Sequence, residues 1–402
     1  MKKFVLVLAL AVSPALAHAE RFVLKNPVGT FVGKTVQTLK FGEDTYVIVE
    51  APRFSNLMAS FKGSAESVTE DLRVAIPADE SQPAEDLARK AWHVDAMKYS
   101  QLPATRNGQN VIVAVLDTGV DYNHPALRDH IFKNAREVPA NGIDDDGNGF
   151  IDDVHGYDFD AKDGDPIDGD QHGTHCAGII GSSPDSVTGA MGVAQGVKIM
   201  PIRIIGDEAR GFLSNAAAGI KYAVDNGAKV LSNSWRVYRS WGSFDPSEPN
   251  LAILRAAIEY AGSKGAIFVA ASGNESLNMD TSFERDPLYP AGFTGLANMV
   301  VVAASESRGG MASFSNYGAK YVTVAAPGED IISTVPGGAF QSMSGTSMAT
   351  PLVAGSLARG LSGSDLTAAD AAERLVTTST RSPLWTNKVR SGGVVDLLKY
   401  LQ

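Results

Sequence analysis

Six unbroken apolar runs constrain this chain more than any other feature of its sequence: VIVAVLD (111–117), KIMPIRII (198–205), KVLSNS (229–234), AIFVAAS (266–272), MVVVAAS (299–305) and VTVAAPG (322–328). A strand with one face in water alternates apolar and polar residues, so unbroken runs are expected where both faces are covered. Between them, 214–226 and 250–264 carry helical spacing and stop at Gly227 and Gly265, residues suited to the left-handed turn that closes a helix. The expected class is α/β: a three-layer α/β/α domain around a mainly parallel sheet. Ligands gather at the carboxyl ends of strands in such sheets. Asp117, Ser234 and Asn274 lie at or just past such ends.

The segments before this domain read differently. MKKFVLVLALAVSPALAHAE sets Lys2 and Lys3 before an apolar stretch over 4–12, with small residues at Ala17 and Ala19, the layout of an export signal over 1–19. Residues 20–90 are expected to form a small α+β unit with strands at 22–24, 45–50 and 71–76 and a helix near 51–61. They end in a polar stretch (77–90, PADESQPAEDLARK) that a protease could enter. The main domain then covers 91–402. No later stretch approaches the roughly 20 apolar residues of a membrane helix, so the expected product is soluble, monomeric, and secreted or periplasmic. Hydrophobic residues make up 44% of the chain, enough for a large core. Its 35 basic residues face 45 acidic ones, without a long basic run, which argues against nucleic acid as a partner. A single cysteine, Cys176, excludes an intramolecular disulfide.

Four polar residues stand out, each with an ordinary structural alternative. Asp117 closes the first apolar run and precedes TGVD; alone it would read as a turn or cap residue. His172 and His175 lie three apart in DGDQHGTHCAGIIG (168–181). They could be a metal pair, but the intervening Glu of HExxH is missing. Ser347, in SMSGTSMATPLVAGSLARG, sits where a helix begins. A serine there caps a helix, or acts as a nucleophile with amides aimed at developing negative charge. Ala349 breaks the GxSxG pattern, and the chain order Asp, His, Ser departs from that of the α/β-hydrolases, which weakens an esterase reading.

Taken together, VAVLDTGVD, HGTHCAG, AASGN and GTSMATP resemble, in order and spacing, the four signature segments of the subtilisin-like serine proteases, over roughly residues 90–400. The resemblance implies a peptidase in which Asp117 orients the base, His172 is the general base and Ser347 the nucleophile. It gives Asn274 a place in the oxyanion hole. It also implies an extended protein or peptide substrate held between two edges, one at 206–211, bounded by Gly206 and Gly211, the other formed by Ser234, Trp235 and Arg236. Ala271, Ser272 and Gly273 would line the first specificity pocket. The family usually carries Gly where Arg236 stands, which leaves the pocket's size and charge open. Residues 20–90 resemble the family's propeptide in position and size, an intramolecular inhibitor and folding assistant, with self-cleavage expected in 77–90. Tyr289 and Pro290 resemble a turn that has a cis proline in the family. Cys176 follows His172 by four residues, as in a subset of the family; a buried small hydrophobe is its structural alternative, and bulky mercurials are expected to disturb the base.

One further motif points to a cation. NGIDDDGNGFIDD (141–153) contains DxDxNG, with Asp144, Asp146 and Asn148 at alternate positions and Gly149 at the turn. This is the spacing of an oxygen-ligand calcium loop. Phe150 would supply a carbonyl, and Asp152 or Asp153 would close the shell because His155 stands at the twelfth position. Eleven aspartates against one lysine over 141–170 would repel one another without a cation. By contrast, Ala126 stands where many family members have a calcium-ligating aspartate. A scaffold with this fold but no turnover is the alternative from another class, and three intact candidate residues speak against it.

Overall fold

The computed structural model describes residues 20–77, 80–81, 91–206, 210–238, 251–282 and 287–402. The export-signal reading and all but Pro77, Glu80 and Ser81 of the 77–90 stretch lie outside the described residues.

The N-terminal unit contains β1 (Glu20–Lys25), β2 (Val28–Thr30), β3 (Lys34–Phe41), β4 (Asp44–Ala51), α1 (Phe54–Ser60), β5 (Lys62–Ser64) and β6 (Ser67–Glu70). Its main sheet runs β3-β4-β1-β6 with antiparallel pairings. Successive side chains of a strand point to opposite faces. Phe22, Leu24, Val47 and Val49 therefore gather around Leu57 of α1. Val23, Leu39, Phe41, Tyr46 and Ile48 join the core of the large domain instead. The short strands β7 (Arg73–Ala75) and β8 (Glu80–Ser81) follow, then α2 (Trp92–Ala96).

The large domain begins with β9 (Ile112–Asp117), β10 (Tyr157–Asp158), α3 (His172–Gly181), β11 (Lys198–Arg203), β12 (Arg210–Phe212) and α4 (Leu213–Asp225). It continues through β13 (Val230–Asn233), β14 (Arg236–Tyr238), α5 (Ala252–Ser263), β15 (Ile267–Ala271), α6 (Met279–Ser282), β16 (Met299–Ser305) and β17 (Val324–Pro327). It ends with the hairpin β18 (Ile331–Val335) and β19 (Ala339–Ser344), then α7 (Thr346–Leu361), α8 (Ala368–Thr378), β20 (Thr380–Arg381), β21 (Gly393–Val394) and α9 (Leu397–Leu401). The nine-stranded sheet has the order β10-β11-β9-β13-β15-β16-β17-β21-β20. Its pairs are parallel except β20 with β21.

Each of the six apolar runs contains one strand of this sheet, and β15, β16 and β17 are buried along their whole length. The period of two divides each run between two cores. Val113, Val115, Val269 and Val302 meet α3, α7 and α8, whereas Ala114, Leu116, Phe268 and Ala270 meet α4 and α5. The three-layer α/β/α expectation therefore holds, with the N-terminal sheet laid over the α4–α5 side; Phe41 reaches Tyr260 of α5 with ring centroids 5.8 Å apart. Strand order reverses direction at β9 and β13, the switch point where α/β sheets bind ligands. No helix among the described residues is long and apolar enough to cross a membrane.

Candidate active site

Asp117 is the last residue of β9 and His172 the first of α3, and both are buried. His172 Nδ1 lies 2.7 Å from Asp117 Oδ1, which also accepts the Thr118 amide at 2.8 Å. A neutral imidazole that donates from Nδ1 keeps Nε2 as its basic nitrogen. The contact requires α3 to come close to the end of β9. Gly173 permits this, since a Cβ there would stand 2.0 Å from the Gly119 carbonyl oxygen and 3.1 Å from Asp117 Cβ. The first turn of α3 has amides without helical partners. Asp170 Oδ1 accepts that of His172, Thr118 Oγ1 that of Gly173 and Asp168 Oδ2 that of Thr174. Burial raises the Asp168 carboxyl above its usual range.

His175 faces away from this pair. Its Nε2 meets the Gln341 carbonyl at 3.0 Å, and burial pulls the ring down to about 3, so it is a neutral core residue. The structure thus separates the two histidines that spacing alone allowed as a metal pair. Asp117, His172 and Cys176 do lie close enough to share an ion. Burial nevertheless pushes the thiol up, keeping it protonated, and the carboxylate bonds directly to the ring.

Ser347 is the second residue of α7 and is fully buried. Pro351 lacks the amide hydrogen that would reach back four residues. The Ser347 carbonyl accepts other donors: Ser234 Oγ at 2.9 Å and Cys176 Sγ at 3.6 Å. Cys176 Sγ is also 4.0 Å from His172 Nδ1 one turn earlier in α3, so this side chain lies between His172 and the Ser347 carbonyl of α7. Asn274 follows β15, and its Oδ1 accepts the Thr346 amide at 2.9 Å and the Thr346 hydroxyl at 2.8 Å. With the oxygen so held, the amide NH2 is the end directed elsewhere. Thr346 Oγ1 also accepts the Gly273 amide. Sequence reasoning did not single out Thr346, although it lies inside GTSMATP.

The segments expected as substrate edges overlap strands β12 and β14 only in part, at 210–211 and at Arg236, with 207–209 of the first outside the described residues. The chain's own β7 lies between the two strands, antiparallel to both: Val74 pairs with Gly211 and Val237, and Ala75 with Arg210 and Arg236. Gly206 donates to the Arg210 carbonyl, and any side chain on Gly211 would meet the Ile204 carbonyl oxygen at 1.9 Å. Beyond the site, β8 pairs with β19, Glu80 opposite Ser344 and Ser81 opposite Met343. Trp235 and Ser272 are buried; Ser272 Oγ donates to the Asn316 carbonyl, and Ala271 ends β15. The Tyr289–Pro290 peptide is cis.

In the acidic loop, Asp144 accepts the amides of Asn148 and Gly149, Asp146 accepts that of Asn148, and Asn148 Oδ1 accepts that of Phe150. Asp152 is turned away, its two oxygens taking the amides of Asn141 and Gly142. The carboxylate beside Asp144 and Asp146 is instead Glu137, with oxygens of all three within 4.8 Å of one another. Glu137, with 6% of its surface exposed, also receives the amides of Asp145, Asp146 and Asp152. It precedes Asp144 by seven residues and carried no sequence signal. Asp153 is wholly buried, bonded by Asn134, Asn148 and the Tyr222 hydroxyl, and burial raises its carboxyl.

Comparison with known proteins identifies the family. The model of the subtilase family matches residues 108–394. The chain is 37% identical over 251 residues to a thermophilic serine proteinase of Bacillus sp. (strain AK1), covering 62% of this chain and 52% of that protein. It is 37% identical over 248 residues to thermitase of Thermoactinomyces vulgaris, covering 62% and 74%. It is 32% identical over 326 residues to subtilisin-like protease 1 of Plasmodium berghei (strain Anka), covering 76% and 52%. The chain thus spans about half the length of the first and third of these relatives.

Proposed function

This chain belongs to the subtilase family, and on that premise we propose that it is a serine endopeptidase that cleaves proteins or peptides through an acyl-enzyme. The observation that carries the reading is the 2.7 Å bond from His172 Nδ1 to Asp117 Oδ1, in a site where Cys176 touches both His172 and the Ser347 backbone. In the proposed reaction, His172 Nε2 takes the proton of the Ser347 hydroxyl as its oxygen attacks the scissile carbonyl. Asp117 stays ionised and steadies the imidazolium. The Asn274 amide and the Ser347 backbone amide receive the negative oxygen. His172 then protonates the leaving amine, and water resolves the ester by the same route.

Residues 20–90 act as propeptide in this proposal, after export directed by 1–19 to a secreted or periplasmic location. Support comes from β7 and β8, which flank the site like the two halves of a bound substrate. We place self-cleavage between Pro77 and Glu80, narrower than the 77–90 zone that composition suggested. Calcium is proposed for the acidic loop, with Asp144, Asp146, Glu137, Asn148 and the Phe150 carbonyl as oxygen ligands. Among the described residues, one ion pair opposes that charge, Arg136 to Asp146 at 2.9 Å. The ion would supply charge neutralisation and rigidity.

The direct test compares wild type with Ser347→Ala. Wild type should shorten itself and degrade casein, while the variant accumulates at precursor length. Equal casein degradation by both would end the assignment.

A further inference from the structure

We propose that Arg236 decides what the first specificity pocket accepts, by tying its two walls together through Glu275 and so selecting small uncharged side chains before the cleaved bond. The inference rests on the peptidase reading above.

Arg236 belongs to one wall, with Ser234 and Trp235; Glu275 adjoins the other, formed by Ala271, Ser272 and Gly273. Arg236 Nη1 lies 2.7 Å from Glu275 Oε1. Glu275 Oε2 accepts Asn316 Nδ2 at 2.6 Å, and the same nitrogen bonds the Ser272 carbonyl at 2.9 Å. The carboxylate is held against the second wall, because a Cβ on Gly273 would stand 2.6 Å from Glu275 Oε2. A guanidinium bonded to the other oxygen of this carboxylate therefore reaches from one wall to the other.

Two consequences follow. The span takes space that an aromatic ring would need, and it neutralises the carboxylate that would otherwise attract lysine or arginine. Both partners are about a third exposed (31% and 30%), and such pairs add little to stability. Occupancy of the groove is the effect that remains.

The test uses mature enzyme and peptide substrates that differ only in the residue before the cut: Ala, Phe, Lys or Glu. Wild type should favour Ala in kcat/KM. In Arg236→Gly, the Phe:Ala and Lys:Ala ratios should each rise about 10-fold or more, the scale on which pocket shape discriminates. Glu275→Gln, nearly the same shape, should raise the Glu:Ala ratio and lower the Lys:Ala ratio, and it carries the test if Arg236→Gly folds poorly. A wild type that prefers Phe or Lys, or variants that keep the wild-type ratios, would overturn the proposal. Wild type inert toward every peptide and toward casein would be a different failure, that of the peptidase reading, and would take this inference with it.

Discussion

Thr346 holds two neighbouring residues in register through three bonds: its amide and hydroxyl both donate to Asn274 Oδ1, and its hydroxyl accepts from the Gly273 amide. An amide side chain rotates easily about its last bond, so fixing the oxygen also fixes where the NH2 points. Asn274→Ala should lower kcat about 100- to 1000-fold, the magnitude known for such a donor in this family. Thr346→Val keeps the volume and removes the hydroxyl. It should lower kcat about 10-fold and leave KM nearly unchanged, because the loss falls on the transition state. Steady-state kinetics on one peptide substrate would check both, and an unaltered kcat in Thr346→Val would deny it a positioning role. The Ser234 hydroxyl plays a comparable part by serving the Ser347 carbonyl that Pro351 cannot.

Helix α4 begins at Leu213, and its cap position, Phe212, has no side-chain acceptor. The acceptor comes from the N-terminal unit. Asp71 takes the Ser214 amide at 3.0 Å and its hydroxyl at 2.6 Å, while the Arg21 and Arg73 guanidinium groups stack on Phe212, 3.9 and 3.6 Å from its ring centre. Burial pushes Asp71 up from 3.8 to about 6. A carboxyl with a raised pKa in the docked state binds its proton more tightly there. Its contribution to docking is fully present below about pH 4 and lost as pH rises through about 6. In a Ser347→Ala precursor, replacing Asp71 with Asn should therefore flatten the stability profile between pH 4 and 7. Melting curves at several pH values would reveal this, and parallel profiles for the two proteins would dismiss it.

At the scale of the whole molecule, the acidic loop is fastened to α4, the helix that follows β12. The Tyr222 hydroxyl of α4 donates to Asp153 at 2.6 Å, and the Phe150 ring packs against Tyr157, Phe159 and Tyr222. Calcium bound in the loop should stabilise the entire domain. At a concentration 100 times its dissociation constant, an ion contributes about 2.7 kcal/mol, which for a domain of about 310 residues is a shift of about 4 °C. EDTA should lower Tm by about that, calcium should restore it, and Asp146→Ala or Glu137→Gln should abolish the response. Melting with and without chelator decides, and a Tm indifferent to both would remove the cation.

Sequence alone determined the layers, because they are local, whereas the proposed roles of Asp117, His172, Ser347 and Asn274 came from the resemblance of four segments taken in order. An unbroken run such as VIVAVLD cannot face water on either side, and its final Asp117 is delivered to the sheet rim by the strand it closes. Tertiary structure decided what depends on segments far apart in the chain. Asp71 caps a helix 143 residues away, β7 is a three-residue strand that owes its place to β12 and β14, and Arg236 meets Glu275 across the pocket. Glu137, not Asp152, stands with Asp144 and Asp146. Such partners are chosen by how packed elements face one another, and no residue spacing encodes that.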